Sequence, residues 1–194
     1  MTDSFSIPGL TLVKDVISLE TEQRIIDELD LSSDKWDISF HTRVQEYGLG
    51  LKDGKNYLIE RMPDLIQEFS CYLTRYDGMV DGDCYPFTHV NAVEFTDPYM
   101  ITNFMPEEKR SPVFILLNLL NDVIIRFDRI EKEDSKLELP ESLMIIIPRR
   151  SILIFSNEAK LNYYHSFYEN NFIYDQEKKK EPFRRVFLKF RCIL

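Results

Sequence analysis

The segment RRVFLKFR, residues 184–191, carries side chains whose types and spacing could bind an anion. Alternate residues of a β-strand face opposite sides, and the two faces of this segment differ in chemistry. One face is apolar and consists of Val186, Leu188 and Phe190. The other face carries three cations and one aromatic ring, namely Arg185, Phe187, Lys189 and Arg191. Such cations are either solvated at the surface or line a pocket that holds an anion, and the ring among them favours the covered arrangement.

Metal or thiol chemistry would need clusters of His, Cys, Asp or Glu, and the sequence has few histidines and cysteines with which to build them. It contains three of each, with no CxxC pair. An odd number of cysteines without that motif is typical of free thiols in a reducing compartment and argues against a structural zinc site. His165, in the segment YYHSFY, is by itself most simply a packed and hydrogen-bonded core residue.

Short apolar runs after about residue 86 predict the strands that position these residues. They are rich in Ile, Val, Phe and Tyr and are bounded by Pro, Asn, Asp or Ser, a spacing that favours a sandwich or a jelly roll. The runs are THVNAVEF, SPVFILLNLL, DVIIRF, SLMIIIP, SILIFS, NYYHSFY and RVFLKFR.

Helical patterns lie earlier in the chain. The segment SLETEQRIIDELDL offers Ser18 as an N-cap, and MPDLIQEFSCYLTRY has Pro63 where a first helical residue would fit. The sequence therefore predicts an α+β fold in one domain over residues 1–194. Residues 1–80 would supply helical support and residues 86–194 the jelly-roll core.

The distribution of charge bears on the class of partner. The net charge of −9 does not favour non-specific binding to nucleic acid. The charge is uneven, because residues 178–194 carry +6 and residues 1–177 therefore carry −15. The run Lys178, Lys179 and Lys180 is either a solvated loop or a local contact for a phosphate backbone.

No segment of the sequence predicts membrane association. The first ten residues, MTDSFSIPGL, are neither basic nor apolar enough for a signal peptide, and runs such as VFILLNLL are too short to span a bilayer. With 44% hydrophobic and 29% charged residues, the composition is typical of a soluble globular protein. We expect a cytoplasmic or nuclear protein.

Four segments, in this order, resemble the AlkB family of Fe(II)/2-oxoglutarate dioxygenases. They are HTRVQEYG at 41–48, VNAVEF at 90–95, IPRRSILIFSNEAKLNYYHSFY at 147–168 and RVFLKFR at 185–191. The resemblance covers nearly the whole chain and is strongest to the eukaryotic branch that includes the tRNA wobble-uridine hydroxylase. It implies a double-stranded β-helix, or jelly roll, with N-terminal supporting helices.

The resemblance implies a binding site for 2-oxoglutarate. Arg185 would clamp the distal carboxylate, and Arg191 would lie beside the metal-side end. A guanidinium group suits this role because its planar fork binds a carboxylate through two hydrogen bonds. Asn91 would also contact the cofactor, although Val93 replaces the tyrosine that the family has two residues later.

The resemblance also implies a nucleic-acid surface. The segment RVQEYG is similar to the start of the family's substrate lid, where Arg43, Gln45 and Tyr47 would face the target base. Basic residues near the C-terminal strand would add phosphate contacts, and they are Lys178, Lys179, Lys180 and Arg184.

The iron site of the family is not reproduced. These enzymes bind iron through His-x-Asp and a distant histidine, a facial triad that leaves open positions for the substrates. His165 matches the distant histidine. An ungapped count places Thr102 and Phe104 at the other two positions, and a shift of one residue places Asn103 and Met105 there. Neither choice supplies an imidazole or a carboxylate.

The leading hypothesis is therefore a pseudoenzyme that binds no iron and retains at most 2-oxoglutarate or another dicarboxylate. It would act as a binding or accessory subunit in RNA modification, most simply of tRNA, with a protein partner such as an active RNA-modifying enzyme. One alternative is an active dioxygenase with an atypical metal site built from His89, His165 and a nearby carboxylate, a spacing that resembles no known family. Asp97 precedes the expected ligand positions by five to eight residues, and Glu107 and Glu108 follow them. Another is a pure protein-interaction scaffold, which the negative charge favours.

Overall fold

Two antiparallel sheets of unequal size form the framework of the molecule. The computed structural model describes residues 2–39, 42–76, 86–96, 102–104, 111–130, 139–168 and 183–193. Within these ranges the strands are β1 (Thr2–Ser4), β2 (Leu10–Val13), β3 (Asp37–Ser39), β4 (Thr42–Lys52), β5 (Lys55–Glu60), β6 (His89–Phe95), β7 (Thr102–Phe104), β8 (Phe114–Leu119), β9 (Val123–Arg129), β10 (Ser142–Ile147), β11 (Ser151–Phe155), β12 (Tyr163–Tyr168) and β13 (Arg185–Arg191). The helices are α1 (Leu19–Leu31), α2 (Asp64–Thr74) and α3 (Asn157–Leu161), and a 3-10 turn spans Ser33–Lys35.

The order of the strands is that of a jelly roll. The larger sheet runs β1-β2-β11-β8-β13-β6-β4-β3, with β5 paired to β4, and the smaller sheet runs β10-β9-β12-β7. From β6 to β13 the chain crosses repeatedly between the two sheets, so strands that are neighbours in space are distant in sequence. Each of the seven apolar runs expected to be strands forms one, and the predicted jelly roll is confirmed.

Two apolar cores lie on opposite faces of the larger sheet. The inner core fills the space between the sheets and includes Phe95, Phe114, Phe127, Phe155, Phe167 and Phe187. The outer core lies between the larger sheet and the helices α1 and α2, and it includes Ile25, Leu29, Ile66, Leu117, Val186 and Leu188. Strand β13 contributes to both cores, which confirms the alternation expected from its sequence.

Helices α1 and α2 cover the outer face of the larger sheet. Ser18 caps α1 as predicted, because its hydroxyl accepts a hydrogen bond of 3.0 Å from the backbone N–H of Thr21. The expectation for Pro63 is off by one position, since helix α2 begins at Asp64 and Pro63 is its N-cap. No helix in the described ranges is long and apolar enough to cross a membrane.

The N-terminal part of the chain is less helical than expected. Five strands, β1 to β5, lie among the helices there, and β4 pairs with β6 along its whole N-terminal half. Residues 43–47 therefore extend the larger sheet. In this strand, Arg43, Gln45 and Tyr47 lie on one face, and Val44 and Glu46 lie on the other. The sequence shows this strand pattern, but the resemblance to a substrate lid led to a different interpretation.

A buried carboxylate attaches α1 to the sheet. The Glu22 side chain is 1% exposed, forms an ion pair with Arg149, and accepts a hydrogen bond of 2.7 Å from the backbone N–H of Leu120. Because a buried carboxylate without partners would be strongly destabilising, these two contacts position the helix on the sheet.

Candidate functional site

The guanidinium group of Arg185 lies inside the jelly roll without a hydrogen-bonded partner. The residue is 0% exposed, and its Nε, Nη1 and Nη2 atoms have no hydrogen-bond partner among the described residues. Four aromatic rings surround it: the Cζ atom lies 4.8 Å from the ring centroid of Phe95, 5.2 Å from that of Phe167, 5.3 Å from that of Phe187 and 5.8 Å from that of Phe183. The covered arrangement that Phe187 favoured for this face of the strand agrees with this geometry.

The energetics of this arrangement favour an anion. Burial lowers the pKa of Arg185 to about 10, so the group stays positive at neutral pH. Cation–π contacts are worth about 0.5–2 kcal/mol each, whereas an uncompensated buried charge costs about 3–5 kcal/mol. Four such contacts are comparable in sum to that cost, but the rings satisfy none of the five N–H donors, and these unpaired donors are what favour an anion. The binding of an anion by Arg185 stays a prediction.

His165 occupies an enclosed, aromatic environment on β12. It is 3% exposed, and its ring centroid lies 5.2 Å from that of Phe155, 5.9 Å from that of Phe114 and 6.4 Å from that of Phe127. Burial, with a smaller effect from the Lys189 ammonium, lowers the pKa of His165 to about 3. The imidazole is therefore neutral at physiological pH.

Lys189 lies on the same side of β13 as Arg185 and shares the space next to His165. The residue is 6% exposed, and its Nζ atom lies 4.4 Å from the ring centroid of Phe114. The adjoining cavity measures about 20 Å³. It is lined by Val93, Leu116, His165, Phe167, Phe187 and Lys189. This volume holds about one water molecule and cannot hold 2-oxoglutarate unless the lining side chains move.

The strand register identifies the positions that would complete an iron site. In the pairing of β7 with β12, Phe104 is opposite His165 and Thr102 is opposite Phe167. Positions 102 and 104, rather than Asn103 and Met105, are therefore the ones in register with the buried residues of β12. Neither threonine nor phenylalanine is a ligand for Fe(II).

The residues present do not fit iron. Within the described ranges no group of three His, Cys, Asp or Glu side chains is placed to hold a metal ion. The ammonium of Lys189, whose charge acts on His165, would also repel a metal cation there. The carboxylates considered for the alternative site with His89 lie outside the described residues, and they are Asp97, Glu107 and Glu108.

A second polar cluster joins β4, β6 and β13. The side-chain oxygen of Asn91 accepts a hydrogen bond of 3.0 Å from Arg191 Nη1, and its amide nitrogen donates one of 2.6 Å to Glu46. His89 contacts the same Asn91 oxygen at 2.7 Å through Nε2 and the Leu49 carbonyl at 2.9 Å through Nδ1. Both of these are acceptors, so both contacts are hydrogen bonds only when the His89 ring carries two protons.

This cluster, the Asn91 cluster, uses two of the three residues expected to bind 2-oxoglutarate. Asn91 and Arg191 bond to each other, and Asn91 also bonds to Glu46. A cofactor would have to displace these contacts. Among the three, Arg185 alone has buried side-chain nitrogens without a hydrogen-bond partner among the described residues.

Two of the expected nucleic-acid contacts lie in an ion-pair network on the outer face of the sheet. The Glu94 side chain is 1% exposed, with oxygens 2.6 Å from Arg43 Nη2 and 2.8 Å from Arg184 Nη2. Arg184 also pairs with Asp30 of α1 at 2.6 Å, and the Arg43 guanidinium lies 4.8 Å from the ring centroid of Trp36. A phosphate would have to compete with these carboxylates for both arginines.

Gln45 and Tyr47 are buried under α1. Each is 1% exposed. The Tyr47 hydroxyl donates a hydrogen bond of 2.5 Å to Gln45 Oε1, and Gln45 Nε2 donates bonds of 3.1 and 2.9 Å to the carbonyls of Leu29 and Ser32. Burial raises the pKa of Tyr47 to about 12. Neither side chain can reach a base unless the helix moves, and Lys178, Lys179 and Lys180 lie outside the described residues.

Sequence reasoning missed the carboxylate that organises the outer network. Glu94 lies on the same face of β6 as the outward-facing apolar residues Val90 and Ala92, which was a signal that it is covered and paired. The network could not be predicted, because Glu94 binds Arg43 and Arg184, and Arg184 binds Asp30, from distant parts of the chain.

Comparison with known proteins supports the fold alone. No profile of a known protein family matches the sequence, and no curated protein matches it. Among solved structures, OsALKBH1 superposes with a TM-score of 0.61 at 12% identity, over 97% of this chain and 100% of that one. A prolyl-4-hydroxylase from Pseudomonas putida superposes with a TM-score of 0.59 at 8% identity, over 96% and 93% of the two chains. The chain thus has the jelly-roll fold of the 2-oxoglutarate/Fe(II) dioxygenases.

Proposed function

We propose that this protein is a non-catalytic member of the AlkB-like dioxygenases that serves as a binding or accessory subunit in RNA modification. It binds no iron. The observation that carries the proposal is the environment of His165. Its ring is packed among Phe114, Phe127 and Phe155, and the charge of the nearby Lys189 ammonium lowers its pKa further. A functional iron site would need carboxylate ligands and open coordination positions at this point.

Arg185 gives the proposed protein a ligand-binding role. Its buried, unsatisfied donors support binding of one carboxylate group. The cavity of about 20 Å³ beside His165 means that a dicarboxylate such as 2-oxoglutarate enters only if neighbouring rings change rotamer. A bound dicarboxylate would stabilise the fold without being consumed.

The RNA part of the proposal rests on the resemblance to the tRNA-modifying branch and on the basic segment at Lys178, Lys179 and Lys180. A pure protein scaffold is the second candidate. It is favoured because Arg43 and Arg184 are already neutralised by acidic side chains, so fewer cations are available for phosphate. A protein partner is expected in both cases.

Metal analysis together with calorimetry tests the proposal. Protein purified without chelators should contain no stoichiometric Fe, Mn or Ni, and titration with Ni(II) should produce no saturable heat. Titration with 2-oxoglutarate in the absence of metal should give binding that Arg185→Met abolishes. One equivalent of metal, together with succinate formation from 2-oxoglutarate, would show instead an active enzyme with an atypical site.

A further inference from the structure

Two cationic side chains enter the inner core from β13, an interior strand of the larger sheet. Arg185 and Lys189 lie four residues apart on the inner face of this strand and are 0% and 6% exposed. Four residues of a strand span about 13 Å, so the two side chains leave the backbone at separate points of one interior. Two buried cations at this spacing match a ligand that carries an anionic group at each end.

A stacked pair of aromatic rings separates the two cations. The ring centroids of Phe167 and Phe187 lie 4.4 Å apart, at an interplanar angle of 11°. The Arg185 Cζ atom lies 5.2 and 5.3 Å from these two centroids, whereas Lys189 lines the cavity of about 20 Å³ to which the same two rings contribute. The ring pair is therefore a shared wall, and a change of its rotamers would join the surroundings of the guanidinium group to that cavity.

Lys189 lies beside His165, the residue that matches the distant iron ligand of the dioxygenases. Both side chains line the small cavity, and burial and the positive charge of Lys189 together lower the pKa of His165. An ammonium group therefore lies in the part of the fold where the dioxygenases hold a metal cation. It has three N–H donors for a carboxylate, but it has no coordination positions with which to chelate a 2-oxo acid.

We propose that Lys189 is a second anchor of the Arg185 site and binds the other carboxylate of a linear dicarboxylate of four or five carbons. This inference rests on the proposed function, in which the protein binds a dicarboxylate without iron. In extended form such an acid, with a charge-assisted hydrogen bond at each end, spans about 10–12 Å. That length is comparable to the spacing of the two backbone positions, about 13 Å, once Phe167 and Phe187 have moved aside.

The two anchors predict which acids the protein distinguishes. Glutarate and 2-oxoglutarate should bind with dissociation constants within about 3-fold of each other, because neither anchor recognises the 2-oxo group. Pentanoate has the same chain length as glutarate but a single carboxylate, so it loses the contact with Lys189. Hydrogen bonds to charged groups are strong enough for this loss to weaken binding by about 10-fold or more.

Calorimetric titration of the full chain in the presence of EDTA tests the inference. Lys189→Met should weaken glutarate binding about 10-fold and leave pentanoate binding within about 2-fold of the wild type, whereas Arg185→Met should abolish the binding of both acids. Lys160→Met is the matched control and should leave both affinities unchanged, because Lys160 is also a buried lysine, 5% exposed, but lies on α3. The comparison of the acids in the wild type needs no variant, so it stands even if a substitution impairs folding.

Three outcomes would overturn the inference and leave the non-catalytic function standing. The first is a wild-type protein that binds glutarate no more tightly than pentanoate, or that binds neither acid at about 10 mM. The second is a Lys189→Met variant that weakens the binding of both acids alike or of neither. The third is a preference of more than about 10-fold for 2-oxoglutarate over glutarate. Failure of the proposed function would show itself separately, as stoichiometric metal or succinate formation in protein kept without EDTA.

Discussion

A charged side chain with unsatisfied donors lies at the centre of this molecule. Arg185 is completely buried, and its three nitrogen atoms have no described hydrogen-bond partner, which is a costly arrangement unless a ligand completes it. Stability does not explain such a group, because an apolar residue of similar size would pack among the same rings at lower cost.

Replacing Arg185 with methionine should therefore leave the free energy of unfolding unchanged or raise it by about 1–3 kcal/mol. The reason is that the substitution removes an unpaired buried charge and keeps apolar volume. Chemical denaturation without added ligand measures this change. A loss of several kcal/mol would mean that a protein carboxylate had been left unpaired. Arg185→Lys, which keeps the charge but loses the planar fork, is the control for dicarboxylate binding.

His165 should make stability depend on pH. Its folded pKa of about 3 lies below the unfolded value of 6.5, so the unfolded chain takes up the proton first as the pH falls. The stabilisation is fully present above pH 6.5 and is lost toward pH 3, by about 1.4 kcal/mol per pH unit. Chemical denaturation at pH 7 and pH 5 should show that the free energy of unfolding falls less between these two pH values for His165→Phe than for the wild type. Equal losses would contradict the burial of a neutral imidazole.

At the scale of single residues, alternation along a strand was enough to predict that Arg185 and Lys189 share one face of β13 and that Leu188 lies on the other, as observed. Alternation alone left open whether the cationic face is solvated or covered. The expectation that Gln45 and Tyr47 meet a substrate came from the family resemblance, and the structure places both side chains in the interior. Their burial depends on α1, and the docking of a helix is a long-range contact that no local pattern contains.

At the scale of elements, α1 is attached to the larger sheet by ion pairs as well as by apolar packing. Glu22→Gln should lower the free energy of unfolding by about 1–3 kcal/mol, because Arg149 loses its charged partner while the hydrogen bond to Leu120 can persist. Glu20→Gln, at an exposed position of the same helix, should change it by less than about 0.5 kcal/mol. Equal effects in thermal or urea denaturation would mean that the pair does not hold the helix.

The register of β7 with β12 allows the missing iron site to be rebuilt. In a background of Lys189→Met, which removes the cation beside His165, the variant Thr102→His with Phe104→Asp places a His-x-Asp opposite His165 and should bind one Ni(II) by calorimetry. The wild-type protein should bind none. The pair Asn103→His with Met105→Asp in the same background, shifted by one residue, is the matched control and should also bind none. Binding by the shifted pair would show that the register of β7 differs from the one described.

The strands after residue 86 were easier to predict than β4, which extends the larger sheet under helix α1. Each run after residue 86 has enough β-branched and aromatic residues for its strand conformation to be predicted from the local sequence. By contrast, β4 mixes Arg43 and Gln45 with Gly48 and Gly50, and its strand state depends on pairing with β6. The sequence alone could suggest the position of the iron ligands only to within one residue, because two registers fitted the spacing equally well.

At the scale of the whole molecule, the negative charge of residues 1–177 limits the number of phosphate contacts that RNA could make. With Arg184 paired to Asp30 and Glu94, three lysines remain from the four cations first considered as phosphate contacts. The slope of log K against log salt for single-stranded RNA should then be about −2, at roughly −0.7 per contact, rather than about −3.

Filter binding of tRNA across a salt series measures this slope. Changing Lys178, Lys179 and Lys180 to Gln should flatten it, because the released counterions belong to these residues. Arg184→Gln should leave it unchanged, since that guanidinium is already neutralised. A protein that binds no tRNA at low salt would favour the scaffold function, and a slope that Arg184→Gln also reduces would contradict the pairing with Asp30.

The position of β13 has a consequence for how the chain is made. This strand lies between β8 and β6 in the middle of the larger sheet, yet it is synthesised after both. While the intervening residues are being translated, the edges of β6 and β8 that face each other have no strand between them. The larger sheet can therefore close only after β13 has left the ribosome. Until then its apolar strand edges stay exposed, a state that favours aggregation and the binding of chaperones.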